Sequence, residues 1–244
     1  MLVAQNVRLK GRHHDLVPPL SLEAATGELL LAVGDDQDQR TALALALSAR
    51  MRPDEGTVSW GQSAQLKHLR KHSALIDSPG VNEPEPHLSV KDLVAEDLAL
   101  VPRRYRGIRE PAAWLKVNSL GDIARDFVDS VPVTRRLELL CTLALANPEV
   151  DVLILDSPDR FSQHDDDWLP YLQALAQDAG RPLCIVATVS HVPEGWAGPL
   201  LQIPHPLELQ SEAEPESDLE SGPELEPEVT EEPDEDPEES QDTK

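Results

Sequence analysis

Three short runs, apolar but for Thr188 and the flanking Asp151 and Asp156, constrain this chain more than any other feature: LLLAV (29–33), DVLILD (151–156) and LCIVATV (183–189). A strand with one wet face alternates polar and apolar residues, so short continuous runs predict strands covered on both faces. Helix-like segments lie between and around them. TALALALSARM (41–51) is rich in Ala and Leu, which favour helix. Residues 87–100 have helical spacing, with Ser89 as an N-cap and Asp92 three positions on. Further helical segments are expected around 112–130, 137–146 and 168–178. Residues 2–10 read as a strand of an outer sheet, and 57–60 and 73–77 as shorter strands. This alternation predicts an α/β domain with a mostly parallel central sheet clothed by helices.

The chain has 244 residues, enough for one domain with a sizeable core, or a domain plus a tail. Charge favours the second arrangement. Residues 211–244 hold 16 Asp or Glu, one Lys and five Pro, a net charge of −15 out of −24, which leaves −9 for residues 1–210. Such a segment has too little apolar surface to offset its ordering entropy. A globular domain over 1–209 and a disordered acidic tail over 210–244 are therefore expected. A mildly acidic domain is a poor non-specific partner for nucleic acid. No stretch of about 18 apolar residues is present and residues 1–11 do not read as a signal peptide, so a membrane role is expected to come through a partner. Cys141 and Cys184 sit in apolar segments without metal-ligand spacing, and read as buried, reduced thiols of a cytosolic protein.

Four local features occur in order. A P-loop reads GxxxxGK[ST] between a strand and a helix. In LLLAVGDDQDQRTALALAL, Gly34 holds the first glycine position, Arg40 the lysine position and Thr41 the Ser/Thr position. MRPDEGTVSWG (51–61) follows. LALANPEV then leads into DVLILDSPD, where Asp156 ends an apolar run as a carboxylate able to hold Mg²⁺ through water. Finally, LCIVATVSH ends at His191, 35 residues after Asp156.

In this order the features resemble the ATP-binding subunits of ABC transporters, across residues 1 to about 205. MRPDEGTVSWG resembles the LxPDxGxVxxxG segment after the P-loop helix, and VDVLILDSPD resembles the Walker B segment. The resemblance implies a P-loop ABC ATPase-like domain with a small outer antiparallel sheet and a reduced helical subdomain at about 87–135. It also implies ATP and Mg²⁺ as cofactors. Gly34, Arg40 and Thr41 would bind nucleotide, Thr41 and Asp156 would hold the metal, and His191 would contact the γ-phosphate as a catalytic residue. The implied partners are an integral membrane transporter subunit and a second cassette, in a homo- or heterodimer, at the cytoplasmic face of the membrane.

The sequence also departs from that family. Gln37 and Gln39 stand where the ABC form GxxGxGK[ST] has glycines, which otherwise let the backbone approach phosphate closely. Asp35, Asp36 and Asp38 add negative charge around a polyanion site. Ser157 replaces the catalytic glutamate, and a hydroxyl is no general base near neutral pH. Val131-Pro132-Val133-Thr134-Arg135 stands at the signature LSGGQ, Asp77-Ser78-Pro79 stands where a Q-loop glutamine is expected, and His13-His14 replaces the adenine-stacking aromatic. Two functions follow: an ATP-binding transporter subunit with weak or absent hydrolysis of its own, or a non-catalytic pseudo-ATPase that pairs with or regulates a membrane protein. An unrelated P-loop GTPase would need an NKxD-like motif, which is missing.

Overall fold

A computed structural model describes residues 1–205; the acidic tail expected over 210–244 lies outside the described residues. Eight strands form two sheets. The outer sheet has the order β2-β1-β4, with β1 (Leu2–Lys10) pairing antiparallel to both β2 (Asp15–Ala24) and β4 (Glu55–Trp60). The central sheet has the order β5-β6-β7-β3-β8, made of β3 (Leu29–Val33), β5 (Ser73–Ile76), β6 (Val152–Asp156), β7 (Cys184–Val189) and β8 (Leu200–Gln202). All its pairings are parallel.

The three apolar runs contain the three interior strands of that sheet, β3, β6 and β7, and every residue of those strands is buried. The two-residue period of a strand divides them between two cores. Leu31, Val33, Leu153, Leu155, Ile185 and Ala187 face one core; Leu30, Ala32, Val152, Ile154, Cys184 and Val186 face the other. The second core is closed by α1 (Gln37–Leu47) and by the outer sheet. The first is closed by α3 (Val90–Leu100), α4 (Pro111–Val117), α5 (Val133–Leu145) and α6 (Leu169–Ala176). Burial lifts the Cys141 thiol to about 12 and that of Cys184 to about 11, so both remain protonated and unreactive.

Differences from the sequence reading have local causes. Strand β2 went unread because Pro18-Pro19 punctuates it. As an edge strand, β2 can tolerate residues that cannot donate to a ladder. The short helix α2 (Leu66–His72) buries only Leu69 and so has almost no apolar stripe. The helix expected over 112–130 stops at Val117, where Asn118 and Ser119 break it and Ser119 adopts φ 59°. Two short 3₁₀ turns, Gly121–Ile123 and Val128–Ser130, complete that region. Ser89 caps α3 as expected, accepting from the amide of Asp92 at 3.2 Å.

Candidate functional site

The parallel sheet brings the C-terminal ends of β5, β6, β7 and β3 to one edge in that order, and the segments leaving β3, β5 and β6 meet there. The loop after β3 is short. Only Gly34, Asp35 and Asp36 separate the strand from α1, which Asp36 caps by accepting from the amide of Asp38 at 2.7 Å. The positions a P-loop reserves for its second half, Gln37 to Thr41, are therefore already helical.

Arg40 points inward and is 7% exposed. Its Nη1 donates to the carbonyls of Gly34 (2.6 Å) and Asp35 (3.0 Å), its Nη2 to Gln37 Oε1 (2.8 Å), and its Nε to Ser157 Oγ (3.0 Å). The guanidinium thus ties the loop to itself and to the residue after β6. Gln39 is buried as well, and its amide nitrogen donates to the Pro204 carbonyl at 2.9 Å. A Cβ on Gly34 would stand 2.8 Å from Gln39 Oε1, so the space beneath the loop is taken.

Asp156, 1% exposed, is surrounded by donors that carry no charge. Its Oδ2 accepts from Thr41 Oγ1 and from Ser78 Oγ, each at 2.7 Å. Its Oδ1 accepts from Ser157 Oγ (3.0 Å), Gln37 Nε2 (3.1 Å) and Thr188 Oγ1 (3.2 Å). Gln37 Nε2 also reaches Thr41 Oγ1 at 3.0 Å. Five uncharged donors thus converge on one carboxylate, with no cation among them.

A second buried carboxylate, Asp77, follows β5 and is held by cations. Arg136 of α5 grips it bidentately at 2.8 and 2.9 Å, and Arg160 Nη2 approaches Oδ1 at 2.9 Å. Both guanidiniums stack on the Phe161 ring, 4.5 and 4.1 Å from its centroid. Arg160 also donates to the carbonyls of Asp156 and Ser157, joining the two networks. Asp77 (φ 56°) and Ser157 (φ 55°) are both left-handed, so the chain turns sharply in the same way after neighbouring strands.

Gly34, Arg40, Thr41 and Asp156 therefore lie together in the fold. His191 stands apart from them. Its Nε2 lies 3.1 Å from Asp165 Oδ1 and its Nδ1 lies 3.1 Å from Ser190 Oγ, with half of its side chain exposed. Among the described residues it makes no hydrogen bond or ion pair to the other four. Nearby, Asp159 Oδ2 accepts from both the amide and the hydroxyl of Ser190. At the signature position, Pro132 opens α5 without a side-chain cap and Thr134 Oγ1 donates to the Asp167 carbonyl at 2.6 Å.

Sequence reasoning did not pick out Arg136, Arg160 or Thr188. Arg136 carried a signal: it lies four residues before Leu140 and seven before Leu143, on the buried stripe of α5. A charge on such a stripe needs a buried counter-charge.

No family model matches the chain, and no curated protein matches it. Solved structures do. The dimeric bacterial ABC transporter cassette MJ0796 superposes with a TM-score of 0.61 at 17% identity, over 83% of this chain and 94% of that one. A protein from Pyrococcus furiosus, described as the ATP-binding protein of an ABC transporter, gives 0.58 at 12% identity, over 83% and 96%. A metal-chelate type ABC transporter in an inward-facing conformation gives 0.54 at 20% identity, over 77% and 72%. The chain has the fold of an ABC transporter ATP-binding cassette.

The cassette fold makes Mg-ATP the group to test against these residues. As arranged, they do not fit a bound triphosphate. In the first turn of α1, where free amides would face phosphate, the Asp36 carboxylate already accepts from Asp38 N, the loop's one cation is bonded to the loop's own carbonyls, and Asp35, Asp36 and Asp38 are exposed around the entrance. Both oxygens of Asp156 are occupied by neutral donors.

Proposed function

We propose that this chain is a cassette-fold subunit of an ABC-type membrane transporter that acts without turning over nucleotide at its own phosphate loop. In this reading it pairs with a second cassette or regulates the membrane subunit. One observation carries the proposal: the guanidinium of Arg40 bonds to Gly34 O, Asp35 O, Gln37 Oε1 and Ser157 Oγ, groups of its own loop and of the neighbouring strand end. Ser157, in the place of a catalytic glutamate, is one of those partners and is fully buried. Among the described residues no helix is long and apolar enough to cross a membrane, so the transporter role rests on a membrane-embedded partner. A cleft of about 500 Å³ between the edge strand β5 and helices α3 and α5 offers that partner a surface.

A specific feature favours the second reading, an ATP-binding subunit with weak hydrolysis. Thr41 and Asp156, the pair expected to hold Mg²⁺, remain in contact at 2.7 Å. Calorimetric titration with Mg-ATP separates the two. The wild type is expected to show no binding at micromolar nucleotide and turnover far below about 1 s⁻¹, the low end of ordinary enzymes. The variant Gln37→Gly/Asp38→Ser/Gln39→Gly, which clears the loop, is expected to gain binding. Micromolar binding by the wild type, weakened roughly tenfold to a hundredfold by Arg40→Ala, establishes the second reading instead. Steady-state turnover near 1 s⁻¹ by the pure wild type defeats both.

A further inference from the structure

The segment between α3 and α4 is a basic island on an acidic domain. Arg103, Arg104, Arg106, Arg109 and Lys116 face a single acid, Glu110, within residues 98–118, while residues 1–210 together carry −9. Glu110 is already engaged, since its carboxylate accepts from the amides of Ala112 and Ala113 as the cap of α4. Arg104 pairs with Glu149, and Arg106 donates to the carbonyls of Val101 and Ala99. Arg103 and Arg109 are exposed and form no ion pair among the described residues. Around them the chain folds over a cavity of about 250 Å³ whose wall includes Leu98, Val101, Trp114 and the half-exposed Ile108, with Arg106 and Arg109 at its edge. A small apolar hollow rimmed by guanidiniums suits an isolated apolar side chain flanked by carboxylates.

The chain itself holds such a sequence. Beyond the described residues, Asp218-Leu219-Glu220 and Glu224-Leu225-Glu226 each set one leucine between two acids, within a stretch carrying 16 acids and one lysine. Reach is no obstacle. The 39 residues after His205 span up to about 130 Å when extended, against a radius of gyration of about 17 Å for a domain of this size. Tethering also raises the local concentration of the segment to the order of millimolar, so a weak contact is populated. We infer that residues 218–226 of the chain's own acidic tail dock on the groove formed by Arg106, Arg109, Ile108 and Trp114, in the segment that also carries the exposed Arg103. The contact is electrostatic with an apolar anchor, and it screens this basic surface from other polyanions.

The test is an amide NMR spectrum of the full chain. At about 0.02 M salt the resonances of residues 218–226 are expected to lose roughly half their intensity relative to the end of the tail, and to recover it at about 1 M, where the screening length is only about 3 Å. They are expected to be sharp at low salt in Arg103→Glu/Arg109→Glu, which alters exposed side chains that form no hydrogen bond or ion pair among the described residues, and in Leu219→Ser/Leu225→Ser, which leaves residues 1–205 unaltered. Tail resonances that are equally sharp at low salt in the wild type and in Arg103→Glu/Arg109→Glu overturn the inference. Co-sedimentation of the wild type with phosphatidylserine vesicles, lost in that variant while the tail stays sharp in both, overturns it too and assigns the groove to a lipid surface.

Discussion

Asp77 and Asp156 invite comparison because almost everything about them is alike except their partners. Asp77 follows the last residue of β5, Asp156 is the last residue of the neighbouring β6, and both are almost fully buried. Asp156 is held by hydroxyls and an amide; Asp77 is held by two guanidiniums that belong to α5 and to the turn after β6. A neutral cage leaves the carboxylate as the local charge and fixes it by directed dipoles. In the ion-paired cage two guanidiniums face Asp77, with Arg160 also reaching Glu83 at 3.2 Å, so the charges are matched, and the cage couples the end of β5 to a helix of the helical layer. The first arrangement ties the loop of α1 to the sheet. The second ties the helical layer to the sheet. The same chemical group thus serves two different mechanical joints.

The sharpest way to break the comparison is to remove the charge of Asp77. Asp77→Asn keeps a side chain that tolerates φ 56° but leaves Arg136 and Arg160 beside a neutral amide. Breaking a buried ion pair from one side costs about 3–5 kcal/mol, so denaturant unfolding should show a loss of that order. A loss below about 1 kcal/mol, the level of an exposed pair, would show that water relieves the two guanidiniums and that the joint is not a buried one.

Asp156→Asn probes the neutral cage. An amide keeps one acceptor oxygen and turns an NH₂ toward the other donors, so two or three of the five hydrogen bonds fail. No cation is stranded, and the expected cost is about 1–3 kcal/mol. A cost equal to that of Asp77→Asn, measured in the same denaturant series, would erase the distinction between the two cages.

What could be read in the sequence divides along the same line. The interior strands were legible because continuous burial leaves a one-dimensional trace, LLLAV, DVLILD and LCIVATV. Gly34, Arg40, Thr41 and Asp156 were legible as positions because the strand–loop–helix order fixes them. Their partnerships were not legible. Nothing along the chain says that Arg40 folds back on Gly34 and Asp35 rather than facing outward. That outcome depends on Ser157 being 117 residues away and on α1 starting at Gln37. The Asp77–Arg136 pair joins residues 59 apart through a turn whose left-handed residue is an aspartate, where no glycine marks it. His191 was placed in the site by its strand, yet its hydrogen bonds go to Asp165 and Ser190, both outside the loop.

Asp97 extends the comparison to a carboxylate with no cage, and gives the smallest effect. It sits on α3, partly buried, and forms no hydrogen bond or ion pair among the described residues. Arg50, Arg70 and Lys71 line the same cleft from the opposite side. Burial, followed by the neighbouring charge of Glu96, pushes its carboxyl above the usual value of 3.8. The folded protein therefore holds this proton more tightly than the unfolded chain does. Between the unfolded pKa and the raised folded one, stability falls as pH rises, because ν_N exceeds ν_U. Above the folded pKa the destabilisation is complete and constant; below the unfolded pKa it is absent. Asp97→Asn removes the ionisable group, so it should raise the thermal midpoint at pH 7, and the gain should shrink toward zero as the pH is lowered below 3.8. The shift should be smaller than either cage variant produces. A midpoint that falls at pH 7, or a gain that persists unchanged in acid, would mean that the basic residues across the cleft hold Asp97 as an ion and that it belongs with Asp77 after all.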